Sequence, residues 1–232
     1  MALFTISDLH LPLGVNKPMD IFGPQWENYV ARLEEHWQDC VKPEDVVVLP
    51  GDFSWATYLE ESVRDFAFLN RLNGRKILLK GNHDYWWTTL HKMRTFIAAQ
   101  GFSGIDFLQN NSYMYQKTAI CGTRGWAWAK EMAAEDQKIY NRELNRLELS
   151  IQSALRQEPE EVLVFLHYPP VLADDFHTPM AELLQRYGVK RCIYGHIHAS
   201  GSRYAFEGTA GNVQYTLVSC DFRGFYPIQL CE

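Results

Sequence analysis

The sequence is short of the features that mark membrane, secreted and disulfide-stabilised proteins. No apolar run approaches the roughly 18 residues that a membrane-spanning helix requires, and the first residues resemble no signal peptide. The five cysteines are scattered and include no Cys-x-x-Cys pair, which argues against a disulfide framework or a zinc knuckle. We therefore expect a cytoplasmic protein with reduced thiols and no membrane partner.

Positive charge is also scarce. The 232 residues include 22 Lys and Arg against 28 Asp and Glu, a formal net charge of −6 with histidine counted as neutral. Because a long polyanion needs a segregated basic surface, we do not expect long nucleic acid as a partner. Hydrophobic residues make up 47% and charged residues 22% of the chain, which excludes a disordered protein. Ring-bearing side chains, in contrast, are abundant, with seven Trp and eight His.

Short apolar segments alternate with helical patterns over the first hundred residues. Strands are predicted from buried, partly β-branched runs, and helices from apolar residues that recur every three or four positions. The predicted elements are strands at 2–6, 45–49 and 76–79 and helices at 26–37, 57–72 and 91–99. This order is typical of a parallel sheet with helices packed against it.

The second half of the chain predicts a second sheet. A long helix is predicted over 131–156, with Leu144, Leu147, Ile151 and Leu155 on one face, and a shorter helix over 179–187. Further strands are predicted at 105–108, 113–116, 119–122, 162–166 and 191–194, and antiparallel hairpins from segments 203–206, 213–219 and 227–230. Without a repeat or a long linker, we expect residues 1–232 to form a single domain.

Polar residues follow the predicted strands at positions where packing does not require them. The carboxyl ends of parallel strands line one crevice, so we expect these side chains to lie close together. They are Asp8, His10, Asp52, Asn82, His83, Asp84, His167, His196 and His198.

These residues include seven potential metal ligands, three with oxygen donors and four imidazoles. Seven ligands exceed what one divalent ion takes from a protein while keeping a position open for water, and they suit two ions that share a carboxylate. No thiolate is among them, so Mn²⁺, Fe or Zn²⁺ suits the set better than Cu(I) or an iron–sulfur cluster. We expect two divalent metal ions as cofactors.

Five sequence blocks in a fixed order resemble those of the calcineurin-like metallophosphoesterases. The blocks are Asp-x-His at 8–10, Gly-Asp at 51–52, Gly-Asn-His-Asp at 81–84, a histidine at 167 and Gly-His-x-His at 195–198. Segments 18–23, 50–56 and 122–126 are similar to a bacterial group of phosphohydrolases within that superfamily. The resemblance implies an α/β fold, a four-layer α/β/β/α sandwich with two mixed sheets flanked by helices.

The resemblance also assigns the seven ligands to two metal ions. The implied ligands are Asp8, His10 and His198 for one ion, Asn82, His167 and His196 for the other, and Asp52 as the bridge. His83 would contact the phosphoryl oxygen or protonate the leaving group, and Asp84 would orient His83. The implied reaction is hydrolysis of a small phosphate ester by a water activated between the two ions, which attacks phosphorus in line with the ester oxygen.

The departures from relatives favour a phosphodiesterase. Ser/Thr protein phosphatases of this superfamily carry an Asp-Arg pair after Gly-Asp and a Glu at the end of the Gly-Asn-His block, whereas this chain has Phe53-Ser54 and Asp84. Two alternatives stay open: a phosphomonoesterase or nucleotidase on the same metal site, and a non-catalytic metal-binding scaffold.

Two kinds of side chain next to these blocks are candidates for substrate binding. Arg124 offers a guanidinium fork to phosphate, with an ordinary surface arginine as the alternative. Trp55 follows the second block, Trp86 follows the third block, and Trp126 follows the Gly-Thr-Arg-Gly segment. We hypothesise that at least one tryptophan near the site stacks on a base or an aromatic leaving group of a nucleotide-like substrate. The alternative is that the tryptophans only anchor loops.

Overall fold

The computed structural model describes residues 1–232 and places eleven strands in two sheets. The strands are β1 (Leu3–Thr5), β2 (Val46–Pro50), β3 (Arg75–Leu79), β4 (Ile105–Leu108), β5 (Ser112–Tyr115), β6 (Thr118–Thr123), β7 (Glu161–Leu166), β8 (Arg191–Tyr194), β9 (Gly208–Ala210), β10 (Val213–Leu217) and β11 (Ile228–Cys231). The helices are α1 (Tyr29–Cys40), α2 (Val63–Arg71), α3 (Leu90–Ala99), α4 (Ala134–Leu155) and α5 (Pro179–Arg186). None of these helices combines the length and the apolar character that crossing a membrane would take.

The first sheet has the strand order β11-β1-β2-β3-β4. Strands β1 to β4 run parallel to one another, and β11 pairs with β1 in the antiparallel direction. Every residue of β2 is buried, as expected for a central parallel strand that is covered on both faces. Helices α1, α2 and α3 cover one face of this sheet, where Leu33, Phe66 and Met93 pack into the same core as Val47.

The second sheet has the strand order β5-β6-β7-β8-β10-β9. Its four central strands are parallel, while the edge strands β5 and β9 pair with their neighbours in the antiparallel direction. Helices α4 and α5 cover its outer face through a core that includes Leu147, Ile151 and Leu184.

A third core lies between the two sheets and joins them. It contains Val48 and Ile77 of the first sheet and Ile120, Phe165 and Ile193 of the second. The layers are therefore helix, sheet, sheet and helix, and the predicted α/β/β/α sandwich with two mixed sheets is confirmed. Because this core is shared by both sheets, we propose that residues 1–232 form one domain.

The structure differs from the sequence-based predictions mainly in the last thirty residues. Segment 203–206 was predicted as a strand, but Ala199–Tyr204 forms a 3₁₀ helix. The predicted hairpins are also wrong in part: β9 and β10 form one, but β10 is parallel to β8, and β11 joins the other sheet. A strand's own apolar pattern specifies which face is buried and not which neighbour it pairs with, so partner choice was not readable from these segments.

Two helices also begin later or pack differently than predicted. Helix α1 starts at Tyr29, because Pro24–Trp26 forms a separate 3₁₀ turn. In α4, Leu155 is 41% exposed, whereas the polar side chains of Glu143 and Ser150 are buried. Polar groups are buried here because they have partners: the Ser150 hydroxyl donates to the Asn111 carbonyl and accepts from the Gly122 N–H.

Candidate metal centre

The polar residues that follow the strands of both sheets meet in one place. Two groups each have ligand atoms that all lie within 4.8 Å of one another. The first donor group is Asp8, His10 and His198, and the second donor group is Asp52, His167 and His196. Each group draws on both sheets, because Asp8, His10 and Asp52 follow strands of the first sheet and the other three histidines follow strands of the second.

Backbone hydrogen bonds between the two sheets hold the groups together. The Ser7 N–H donates to the Val218 carbonyl, and the Cys220 N–H donates to the Ser7 carbonyl. Asp8 is the residue after Ser7, and its carboxylate accepts from the His196 N–H, with the two oxygens at 3.0 and 3.1 Å. Asp8 is thereby fixed beside a histidine of the opposite sheet.

In the first donor group, imidazole nitrogens and a carboxylate oxygen face one another. His198 Nε2 lies 3.2 Å from Asp8 Oδ1 and 3.3 Å from His10 Nε2. The other ring nitrogen of His198, Nδ1, lies 3.0 Å from Asp221 Oδ1. A carboxylate accepts, so Nδ1 carries a proton, and Nε2, which faces the group, is the atom that a metal ion would bind in place of a proton.

The second donor group has the same arrangement. His167 Nδ1 donates to the Pro50 carbonyl at 3.0 Å, which leaves its Nε2 lone pair facing inward. That nitrogen lies 2.6 Å from Asn82 Oδ1 and 3.2 Å from His196 Nδ1. Asn82 is therefore at the second donor group, where the sequence predicted it.

Asp52 lies between the two groups. Its Oδ2 is 3.4 Å from His167 Nε2 and 3.7 Å from His10 Nε2. Its other oxygen, Oδ1, accepts from the His83 N–H at 2.7 Å. One oxygen of this buried carboxylate thus faces a histidine of each group, and the position is compatible with a shared ligand.

The backbone at these residues is strained. Asp8, His10, Asp52 and His196 all have positive φ angles, at 62°, 45°, 52° and 73°. Non-glycine residues in this left-handed region cost about 1–3 kcal/mol each and persist where the surrounding structure imposes them, often at functional sites.

Glycine is required where the loops approach these ligands. A Cβ atom on Gly81 would collide with the side chain and the backbone nitrogen of Asp52. The same holds at Gly195, where a Cβ would collide with the Ser7 hydroxyl and lie 2.5 Å from Asp8 Oδ2. The glycines of the third and fifth sequence blocks therefore provide space for the two buried carboxylates.

Electrostatics at the site favour a bound cation. Burial lowers the pKa of His167 to about 3 and that of His196 to about 4, so both imidazoles are neutral and keep a lone pair near pH 7. Burial also raises the pKa of Asp52, with the nearby Asp84 and Asp8 adding to the effect. Burial lowers the pKa of His198, but Asp8 and Asp221 outweigh it and raise this pKa to about 10.

These residues fit divalent metal ions. Converging carboxylates and inward lone pairs are the donor set that Mn²⁺, Fe or Zn²⁺ takes, and no cysteine is among them. The protein therefore has two candidate metal sites, one at each donor group.

The structure gives Asp84 a different role from the one expected. Its carboxylate accepts from the N–H groups of Asp52 and Phe53 at 2.9 Å and of Gly81 at 2.7 Å, and from Trp86 Nε1 at 3.0 Å. The imidazole of His83 is not among its partners, so the prediction that Asp84 orients His83 is wrong. A carboxylate with several backbone donors binds two loops together, and Asp84 therefore holds the loops of Asp52 and Asn82.

His83 lies at the edge of the first donor group. Its half-buried imidazole stands 5.5 Å from that of His10 and 4.7 Å from the indole of Trp55, measured between ring centroids. It has no ligand atom in either donor group. This position keeps the ring available to a substrate.

The structure separates the predicted substrate-binding residues. Trp86 is 2% exposed and packs against Phe53 and Phe66, so its predicted place on the substrate rim is wrong and the loop-anchoring alternative holds for it. Trp126 contacts Tyr168 at 5.3 Å and stacks under Arg124 at 4.6 Å. Arg124 faces a separate basic cavity.

An apolar cavity of about 300 Å³ borders the first donor group. Its walls combine His10, His83 and His198 with Met19, Phe22, Trp26, Trp55 and Ala199. Trp55 stacks on His10 with centroids 4.7 Å apart and an interplanar angle of 28°. The tryptophans beside the site are thus Trp55 and Trp26, of which sequence reasoning placed only Trp55 near it.

Two further residues at the site were missed from the sequence. Asp221 supports His198, and Tyr168 packs on His196 with ring centroids 4.1 Å apart. Tyr168 directly follows His167 and could have been suspected on that ground. Asp221 lies in the tail, after β10, where no motif marks it.

The four-layer fold and the two donor groups define a class, the α/β/β/α proteins with paired metal-ligand sets at their strand ends. The family model for the calcineurin-like phosphoesterase matches residues 1–200, and the chain belongs to this family. The resemblance drawn from the five sequence blocks is thereby confirmed. No curated protein matches the chain.

Several solved structures are similar in fold. TT1561 of Thermus thermophilus is 11% identical, with a TM-score of 0.58 and coverage of 99% of this chain and 97% of that chain. A protein of unknown function from Aquifex aeolicus, AQ665, is 17% identical, with a TM-score of 0.53 and coverage of 98% and 95%. The phosphopantetheinyl hydrolase PptH from Mycobacterium tuberculosis is 13% identical, with a TM-score of 0.53 and coverage of 99% and 95%. At these identities the similarity shows the shared fold alone.

Replacing Asp221 tests whether the donor groups hold metal. In Asp221→Ala, His198 loses the acceptor that fixes its tautomer, and we expect about 10- to 100-fold weaker binding of one Mn²⁺ ion. Competition with a fluorescent chelator measures this affinity, and Asp174→Ala, at an exposed loop residue, is the matched control. Equal affinities in the wild type and Asp221→Ala would contradict a metal-binding role for His198.

Proposed function

We propose that this chain is a dinuclear metal-dependent phosphoesterase that prefers small phosphodiesters. The observation that carries the proposal is the position of Asp52, whose Oδ2 lies 3.4 and 3.7 Å from histidine nitrogens of the two donor groups. A carboxylate shared between two ions is the arrangement used in two-metal hydrolysis.

Each donor group would hold one divalent metal ion. When bound, two divalent ions lower the pKa of a water and neutralise charge on the phosphate oxygens. The first donor group would hold one ion, and His167, His196 and Asn82 would hold the other, with Asp52 between them. The donor set leaves the choice among Mn²⁺, Fe and Zn²⁺ to measurement, and Mn²⁺ is the ion that we propose to test first.

His83 would act on the substrate and not on the metal. Its backbone N–H is anchored to Asp52 Oδ1 at 2.7 Å, so its position is tied to the ligand expected between the ions. Its imidazole lines the apolar cavity together with His10. From there it would donate a hydrogen bond to a phosphoryl oxygen or to the departing ester oxygen.

The apolar cavity supports an ester with an apolar or aromatic leaving group. At about 300 Å³ it has room for one ring system. Lys17 Nζ lies 4.6 Å above the ring of Trp55 and is the cation nearest that ring. A nucleobase or a substituted phenyl group would stack on Trp55 with its phosphate toward His83.

The preference for diesters is supported by the sequence blocks and by this cavity. A diester carries two ester substituents on phosphorus, and the apolar side chains Met19, Phe22, Trp26 and Trp55 of the cavity offer a surface for one of them. The five free thiols, three of them buried, support a reducing location, and we propose the cytoplasm.

An activity assay with Mn²⁺-reconstituted protein tests the function. We expect bis-aryl phosphodiester hydrolysis at a rate equal to or above that of the aryl phosphomonoester. We expect Asp52→Asn to lower kcat/KM by more than about 100-fold, because both ions lose a shared ligand. His83→Ala should lower kcat by about 10²- to 10³-fold, because a hydrogen bond to the transition state is lost.

The matched controls are Asp174→Asn and His91→Ala, two exposed residues outside the site, and both should leave the rate unchanged. Monoester turnover that exceeds diester turnover by orders of magnitude would overturn the phosphodiesterase assignment while leaving the metal centre in place. Metal-loaded protein without any turnover would favour the scaffold.

Substitution of Trp55 tests the aromatic pocket. Trp55→Ala removes the stacking surface, and we expect KM for the aryl diester to rise about tenfold or more, with Trp55→Phe retaining most of the affinity. Trp86→Ala should instead lower stability by about 3–5 kcal/mol, because it empties a buried site. Steady-state kinetics and urea unfolding separate the two effects, and an unchanged KM in Trp55→Ala would contradict aromatic stacking.

A further inference from the structure

A second cavity, of about 420 Å³, lies where the two halves of the sandwich meet. The first half contributes Lys80 and the segments 87–89 and 108–110, and the second half contributes Thr123, Arg124 and one face of α4. The face of α4 presents Arg142, Glu143 and Arg146. None of the six donor-group residues lines this cavity.

Four cationic side chains surround a single carboxylate in this cavity. They are Lys80, Arg124, Arg142 and Arg146, and the carboxylate is Glu143. With the side chains in their usual ionised forms, the walls carry a net charge of +3, in a chain whose formal charge is −6. Cations that gather in this way repel one another unless an anion lies between them.

Glu143 accounts for only part of this charge. The carboxylate is fully buried and accepts from Arg146 Nη1 at 2.7 Å and from the Thr123 hydroxyl at 2.6 Å. Arg124 Nη2 lies farther away, at 3.7 Å. Lys80 and Arg142 form no ion pair within 4.0 Å. Arg146 alone is enough to neutralise Glu143, so neutralising Glu143 does not explain the presence of the other three cations.

Arg124 carries a buried donor without a partner. Its side chain is 16% exposed, and its Nε is buried and makes no hydrogen bond. Burial, followed by the nearby Arg142 and Arg146, lowers the pKa of this guanidinium, while Glu143 opposes the shift. A buried unpaired donor costs about 1–3 kcal/mol, and the guanidinium of Arg124, which lines the cavity, donates no hydrogen bond to the protein from its other nitrogens either.

We propose that this basic cavity is a binding site for a phosphate group, separate from the metal centre. Guanidinium forks and an ammonium suit the several acceptor oxygens of a phosphate dianion. The phosphate is either free in solution or a second phosphate on the substrate. The site is connected to the metal centre through the chain, since the Arg124 carbonyl accepts from the His167 N–H at 3.0 Å and Lys80 is two residues before Asn82.

Direct binding of pyrophosphate tests this site without recourse to activity. Pyrophosphate is titrated by calorimetry into the full-length protein after EDTA treatment, which removes metal-dependent binding, with folding checked by circular dichroism. We expect binding at one site per chain that weakens about tenfold or more in Arg142→Gln and in Lys80→Gln. Lys138→Gln, at an exposed position on the same helix, should bind as the wild type does.

No binding by the EDTA-treated wild type, or equal binding by Arg142→Gln and Lys138→Gln, would overturn the proposal. Arg142 is exposed and unpaired, so its substitution is not expected to unfold the protein and the test does not depend on a fragile variant. The pyrophosphate titration does not depend on the proposed function, whereas the assignment of the phosphate to the substrate rests on that function. Protein that binds pyrophosphate but hydrolyses no ester would contradict the proposed function alone.

A second measurement separates the two sources of the phosphate. If the cavity holds a phosphate of the substrate, Arg142→Gln raises KM about tenfold or more for an aryl diester that carries a second phosphate and leaves KM for the simple aryl diester unchanged. If the ligand is free phosphate, both KM values stay the same, and inorganic phosphate raises the Tm of the wild type more than that of Arg142→Gln.

Discussion

The burial of the Asp52 carboxylate is the constraint on which the site depends. This side chain is 1% exposed, and a carboxylate removed from water is stable only with compensating donors or cations. Its neighbours provide a backbone N–H from His83 and imidazole nitrogens of His10 and His167. Because those imidazoles present lone pairs when neutral, metal ions are the natural complement. The left-handed backbone at Asp52 is tolerated because this environment fixes the side chain in place.

The fold provides this environment through contacts made outside the donor groups. The core between the sheets brings the carboxyl ends of their parallel strands together, and hydrogen bonds at Ser7 join the sheets beside Asp8. Asp84, buried and bonded to the N–H groups of Asp52 and Gly81, connects the two loops that carry Asp52 and Asn82. The Gly-Asn-His-Asp block therefore places an amide beside the second donor group, an imidazole at the apolar cavity and a structural carboxylate between two loops.

The features of the fold and the site that have a local cause could be predicted from the sequence. Buried strands followed by polar residues predicted the convergence of both donor groups, and the helical spacing predicted all five helices. The helix predicted over 57–72 is shorter than expected, because Leu59–Ser62 forms a separate 3₁₀ helix and α2 begins only at Val63. Prediction from the sequence failed where the cause is tertiary. Asp221 supports His198 only because the tail returns to the site, and Trp86 follows a motif yet turns into the core. The basic cavity could not be predicted from the sequence, because Lys80, Arg124 and Arg142 are far apart in the chain. The net negative charge of the chain gives no sign that these cations lie together in the fold.

The protein combines a candidate two-metal centre, an apolar cavity at the first donor group and a separate basic cavity. The proposed phosphoesterase function depends on two ions that would share Asp52. The most direct test is the metal content of Mn²⁺-reconstituted protein by mass spectrometry, together with its electron paramagnetic resonance spectrum. Our account requires two ions per chain with a spectrum of two coupled Mn²⁺ ions, since a bridging carboxylate holds them about 3.5–4 Å apart. A single bound ion, or two ions with uncoupled spectra, would contradict it.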